Sequence, residues 1–179
     1  MVSWKSGLFL LAVLVGLGVY AYASRPQPAP PGPAFVPCGL LETTSIKIQG
    51  PTRALEIVRQ TPSDPWQILQ PVKAAGDPTA ISSLVAAIDS VKVLNTIKNV
   101  QPPATYGLDQ PREVLTCRLT SGASFTLSIG NQSFDSSGYY AQKGADSRVY
   151  VISSVEVDSF DRVLAEPPVQ PTPGPSPSA

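Results

Sequence analysis

The chain has no histidine. That absence removes the commonest general base and the commonest metal ligand together. A Ser-His-Asp or Cys-His site is impossible, and a zinc site would rest on two cysteines and carboxylates. Charge is also scarce: 15% of residues are charged, with 13 basic balancing 13 acidic. Setting aside Lys5 and Arg25 leaves 11 basic against 13 acidic residues. With no basic face to attract phosphates, nucleic acid is excluded as an expected partner. No Ser-x-x-Lys opens a helix, and Glu156 and Asp158 lie too close in sequence to share a helical face. The expectation is a non-catalytic protein with no catalytic residues, no cofactor and no metal site. The alternative is a hydrolase, which would need a concave pocket holding two converging carboxylates or a Ser–Lys contact.

Proline, by contrast, is abundant. Of 20 prolines, 6 fall in residues 25–37 and 6 in residues 167–179. Two such flanks cannot form a core, so they read as a Pro-rich stalk (25–37) and a disordered Pro/Ser-rich tail (167–179), leaving 38–166 as one globular domain. Ahead of the stalk, residues 7–23 are uncharged and largely apolar, between Trp4-Lys5 and Tyr20, Tyr22 and Arg25. From Trp4 to Ser24 a helix would be roughly 30 Å long, enough to cross a bilayer. Residues 1–24 are therefore expected to be a transmembrane anchor, with a cleaved signal peptide ending at Ala21-Tyr22-Ala23 as the alternative. Either reading places the domain on the extracytoplasmic side of the cell membrane.

Within the domain, Ser45–Gln49, Ala54–Arg59 and Trp66–Leu69 are short strand-like runs separated by Gly50-Pro51 and Pro62-Ser63-Asp64-Pro65. Asp77-Pro78 then opens a helix whose Ile81, Leu84, Val85, Ile88 and Val91 recur on one face. Val93–Ile97 leads out as a possible further strand. After the hexapeptide Tyr106–Pro111, alternating runs separated by glycine-bearing turns continue to Ser153. Leu115, Cys117 and Leu119 share one phase, matched by Phe125, Leu127 and Ile129. Gly130–Ser133 reads as a loop. Ser153 with Glu156 fits a capping box ahead of Val157, Phe160, Val163 and Leu164. The expected fold is α+β: an antiparallel meander of roughly six to eight strands packed by two helices, preceded by the transmembrane helix.

Tyr106, Gly107, Asp109 and Pro111 are expected to form a rigid structural corner. Gly107 takes a backbone angle that a Cβ disfavours, Pro111 bars α geometry at Gln110, and Asp109 either holds the turn or pairs with Arg112. Tyr139 and Tyr140 point to opposite sides of a strand, one inward and one outward. With Arg148 and Tyr150 they form either a partner-contact patch or ordinary cross-strand packing. Cys38 and Cys117 either form one disulfide or leave Cys117 as a small apolar residue on a buried face.

The run Trp66-Gln67-Ile68-Leu69-Gln70-Pro71, the Asp-capped helix with Leu84 and Ile88, Tyr106-Gly107-Leu108-Asp109-Gln110-Pro111, Ile129-Gly130-Asn131, Gly138-Tyr139-Tyr140-Ala141 and Arg148-Val149-Tyr150-Val151 together resemble the bacterial family called domain of unknown function 4340. The resemblance covers roughly Ser45 to Leu164. It implies an N-terminally anchored, extracytoplasmic α+β domain and supplies no catalytic residues. Expected partners are the membrane, through the N-terminal helix, and a membrane-protein complex or cell-envelope component. The expected function is non-catalytic binding or scaffolding, with an accessory subunit of a membrane transport or gliding-type complex as the alternative.

Overall fold

Apolar residues alternating with polar ones along successive short runs dictate a sheet with one dry face. The computed structural model, which describes residues 13–18, 20, 34–98 and 100–171, contains one such sheet. Its strands are β1 (Thr43–Gln49), β2 (Ala54–Val58), β3 (Gln67–Gln70), β4 (Ala74–Ala75), β5 (Val93–Ile97), β6 (Glu113–Leu119), β7 (Ser124–Gln132), β8 (Gly138–Lys143) and β9 (Val149–Ser153). They lie in the order β4-β3-β2-β1-β6-β7-β8-β9-β5, every pair antiparallel. The sheet has nine strands where six to eight were expected. The addition is β4, two residues beyond the cis Gln70–Pro71 bond, too short to show a period in sequence.

Two helices cover one face, α1 (Pro78–Asp89) and α2 (Ser154–Ala165). The Asp77 carboxylate caps α1 by accepting from the Thr79 and Ala80 amides at 2.7 and 3.1 Å, and Pro78 occupies the first turn. Because α1 leaves β4 and leads to β5, it carries the chain from one sheet edge to the other. Ile81, Leu84, Val85 and Ile88 are buried in one cluster with Ile46, Ile48, Leu55, Ile57, Leu115, Leu119, Leu127 and Ile129, and Phe125 packs against it. Each such side chain contributes about 2 kcal/mol of apolar burial. Ser153 caps α2, but its hydroxyl accepts from the Val155 amide rather than that of Glu156. Glu156 is buried with its Oε2 unpartnered, and the Ser153 amide donates to the Lys92 carbonyl instead, so the expected reciprocal capping box is not made.

The packing reaches past the limits drawn from proline content. Val36 is buried in the core, Phe35 meets Tyr150 edge-on at 4.8 Å between ring centroids, and Cys38 is bonded to Cys117 with a Cα–Cα distance of 6.3 Å. At the C-terminal side Val169 bridges Gly76, and the Gln170 amide donates to the Ala75 carbonyl. The stalk residues 25–33, the tail residues 172–179 and most of the expected membrane span lie outside the described residues. Residues 13–18 and 20 are helical and exposed. Among the described residues no helix is long and apolar enough to cross a membrane.

Candidate functional site

Glu113 opens β6 in the same alternating phase as Leu115, Cys117 and Leu119, so register alone turns its carboxyl toward the dry side. It is 1% exposed. Beside it, the Arg112 Nη2 donates to both carboxylate oxygens of Asp161 on α2, at 2.9 and 2.7 Å, and lies 3.6 Å from Glu113 Oε1. The Arg112 guanidinium also sits 4.9 Å from the centre of the Tyr139 ring. The β1–β2 turn, with Arg53, and the end of β7, with Asn131, complete the walls of a cleft of about 540 Å³, a volume within the range of small-molecule sites.

Electrostatics follow from burial. Removing Glu113 from water raises its pKa, and the hydrogen bond with Asp161 and that residue's negative charge raise it further. Arg112 pulls the other way and does not prevail; the carboxyl is pushed up to about 8. As an anion Glu113 would leave Oε2 buried with no donor. The protonated form is the one that burial beside the Asp161 carboxylate favours.

The Tyr106–Pro111 corner buttresses this cleft. It begins with a 3₁₀ turn, Pro103–Tyr106, absent from the expectations. Gly107 is left-handed, at φ 69°. A Cβ on Gly130 would lie 2.1 Å from the Tyr106 carbonyl, and one on Gly107 would meet the Asn131 side chain at 2.5 Å. The Tyr-Gly-Leu-Asp-x-Pro and Ile-Gly-Asn segments therefore interlock, and Gly130–Gln132 belongs to β7 rather than to a loop. Among the described residues Asp109 forms neither an ion pair with Arg112 nor a side-chain hydrogen bond, because Arg112 turns to Asp161. Pro111 leads into β6 as expected.

The four residues of the expected contact patch do not share a surface. Tyr139 lies on the helix-covered face under Arg112. Tyr140 lies on the other face, where it meets Tyr106 at 4.9 Å and packs with Leu108 and Val149. Both tyrosines are half-buried, so neither is the outward residue anticipated. Tyr150 is buried against Phe35, and its hydroxyl donates to Asp146 at 2.8 Å. Arg148 is exposed and grips the same carboxylate through Nε and Nη2.

Sequence reasoning passed over Glu113, Asp161 and Arg53. An acidic residue in the inward phase of a strand was the available signal for Glu113, whereas nothing local marks Asp161. A second surface also escaped notice. Phe134 is 99% exposed on the β7–β8 turn, which Asp135 organises by accepting from Ser133 and Ser137. It adjoins β5, an edge strand whose Val93 and Leu94 are exposed. Among the described residues no cluster of His, Cys, Asp or Glu could hold a metal ion.

A family model described as Domain of unknown function (DUF4340) matches residues 66–166, more than half of the chain. No curated protein and no solved structure matches it.

Proposed function

The chain belongs to the DUF4340 family of domains of unknown function, and from that premise we propose that it is a non-catalytic binding domain, held on the extracytoplasmic side of the cell membrane by its N-terminal segment. The observation that carries this reading is the Arg112–Glu113–Asp161 cleft, set against the two most specific segments of the family resemblance. A buried carboxyl, a half-exposed guanidinium and amide side chains converge there around open space, as in sites that orient a ligand by a few polar groups.

The paired carboxylates also meet a requirement of the hydrolase reading. Their geometry opposes it. Glu113 and Asp161 both sit against one guanidinium nitrogen, Arg112 Nη2, at 3.6 and 2.7 Å, whereas the carboxylates of a glycosidase are left free to flank the glycosidic bond from opposite sides. A dyad of the shared-proton kind needs both groups to face a water, but Glu113 is buried and Asp161 is held by Arg112. The accessory-subunit reading has its own support in Phe134 beside the β5 edge, since exposed aromatic residues and open strand edges suit protein contacts.

Affinity capture of the full chain from native membranes tests the proposal. Recovery with a bound small molecule or envelope component, lost in Arg112→Ala, supports the cleft. Co-purification with integral proteins that survives Arg112→Ala and is lost in Phe134→Ala favours the accessory subunit. Turnover of a glycan or peptide by the purified protein, abolished in Glu113→Gln, would overturn the non-catalytic reading.

A further inference from the structure

The chemistry of the cleft narrows what it can hold, an argument that rests on the binding reading above. Two guanidinium groups line it, those of Arg53 and Arg112. Arg112 spends only Nη2 on Asp161, and among the described residues its Nε and Nη1 make no hydrogen bond. Arg53 is exposed and forms no ion pair among those residues. Facing them is one ionised carboxylate, Asp161, already paired. Glu113 is 1% exposed, its Oε2 has no partner, and the residue borders the same space.

A cluster of acidic groups would by itself suggest a cation, but the count runs the other way. With Glu113 neutral, two positive charges stand against one negative. The donors left over, from Arg112, Arg53 and the Asn131 amide, outnumber the free acceptors. A planar anion is the partner that such donors satisfy best, because guanidinium groups bind carboxylates through parallel N–H bonds. We infer that the Arg53–Arg112–Glu113 cleft binds a small ligand through a carboxylate group, which Arg112 and Arg53 grip above the buried Glu113 carboxyl.

The charges that face Glu113 are Arg112 just ahead of β6, Asp161 from α2 and Arg53 from the β1–β2 turn; Tyr139 from β8 lies under Arg112. Loss of the Glu113 proton would add a second negative charge next to the ligand. Binding should therefore weaken as pH rises through about 8.

Three probes of nearly one shape separate the possibilities: N-acetyl-alanine, an anion; N-acetyl-alaninamide, neutral; and alaninamide, a cation. Titrated into the full chain and followed by amide and arginine Nε chemical shifts, the anion should perturb Arg112, Gly130 and Asn131, and the other two should not. Arg53→Ala, at an exposed position that leaves folding intact, should weaken the anion about tenfold, the effect of one charged hydrogen bond. Between about pH 6 and pH 9 the native protein should lose about tenfold in affinity while Glu113→Gln shows no such slope. Equal response to the neutral probe, preference for the cation, or no response to any of the three would overturn the carboxylate assignment. The wider binding reading would then stand or fall separately, on the capture experiment.

Discussion

Two arginine–carboxylate clusters occupy opposite ends of the same meander, and they are built differently. At the end where the chain comes in, Asp146 accepts from the Arg148 side chain, the Arg148 amide and the Tyr150 hydroxyl. These bonds, the arginine side chain's foremost, hold its carboxyl well below the usual range. Acceptors and donors are matched, and the cluster clasps the β8–β9 turn while Tyr150 packs Phe35. At the other end, Arg112 meets two carboxyls, one of them buried, and one oxygen is left without a donor. The first arrangement is complete in itself and behaves as a fastening. The second has a surplus carboxyl and unspent guanidinium donors beside open space, and a surplus of buried polar groups is a cost that folding alone does not recover. Residue types alone do not distinguish the two clusters; which groups remain unpaired does.

The largest effects should come from breaking each end separately. Replacing Cys38 and Cys117 with serine opens a loop of sequence separation 79, and the entropy model puts the loss at up to about 4.5 kcal/mol. Chemical denaturation should show the fall in midpoint, with the Arg112 and Gly130 chemical shifts unchanged at low denaturant. If those shifts moved as well, the two ends would not be independent. Next comes Glu113. Its carboxyl ionises near 4.5 when unperturbed and near 8 in the fold. Between those values the folded chain keeps a proton that the unfolded chain has released. Stability therefore declines as pH rises from about 4.5 to about 8 and then levels, by on the order of 5 kcal/mol. Glu113→Gln, neutral at every pH, should remove that slope. Denaturation at a series of pH values checks both, and a slope that persists in the glutamine variant would place the perturbed group elsewhere.

Much of this arrangement could be read in the chain, and the remainder follows one physical pattern. Signals carried within a few residues are legible: Asp77 and Pro78 start α1, and Gly107 takes its left-handed angle. The common interior of Leu115, Leu127, Ile81 and Ile88 follows from two periodicities that must face each other. Asp161 is invisible in this way, because it meets Arg112 only after α2 has come back over the sheet. Tyr140 illustrates the same limit: alternation puts it on the face opposite Tyr139, but only tertiary structure shows that the Tyr106 corner covers it. Glu113 was readable, since its phase matches Leu115, and an inward carboxylate needs either a partner or a proton.

Smaller effects sharpen the contrast. Asp161→Asn takes away the charge that Arg112 holds at a half-exposed position, so the loss of stability should be about 1 kcal/mol, the range of part-solvated ion pairs. The more telling readout is Glu113: without the Asp161 anion its carboxyl should ionise at lower pH, since a like charge beside it has been removed. The pH at which stability levels off should move down accordingly, and an unmoved transition would mean that burial alone sets it.

Arg148→Ala should matter least. The guanidinium is largely in water, and solvent replaces its bonds to Asp146 at little cost. The Tyr150 hydroxyl still donates to that carboxylate, so thermal unfolding should fall within the scatter of the native protein. The Asp146 carboxyl should nevertheless titrate at higher pH, because its foremost stabilising bond is gone. A change confined to Asp146 is what a self-contained fastening predicts. A change that reached Glu113 at the far end would make the two clusters parts of one electrostatic unit.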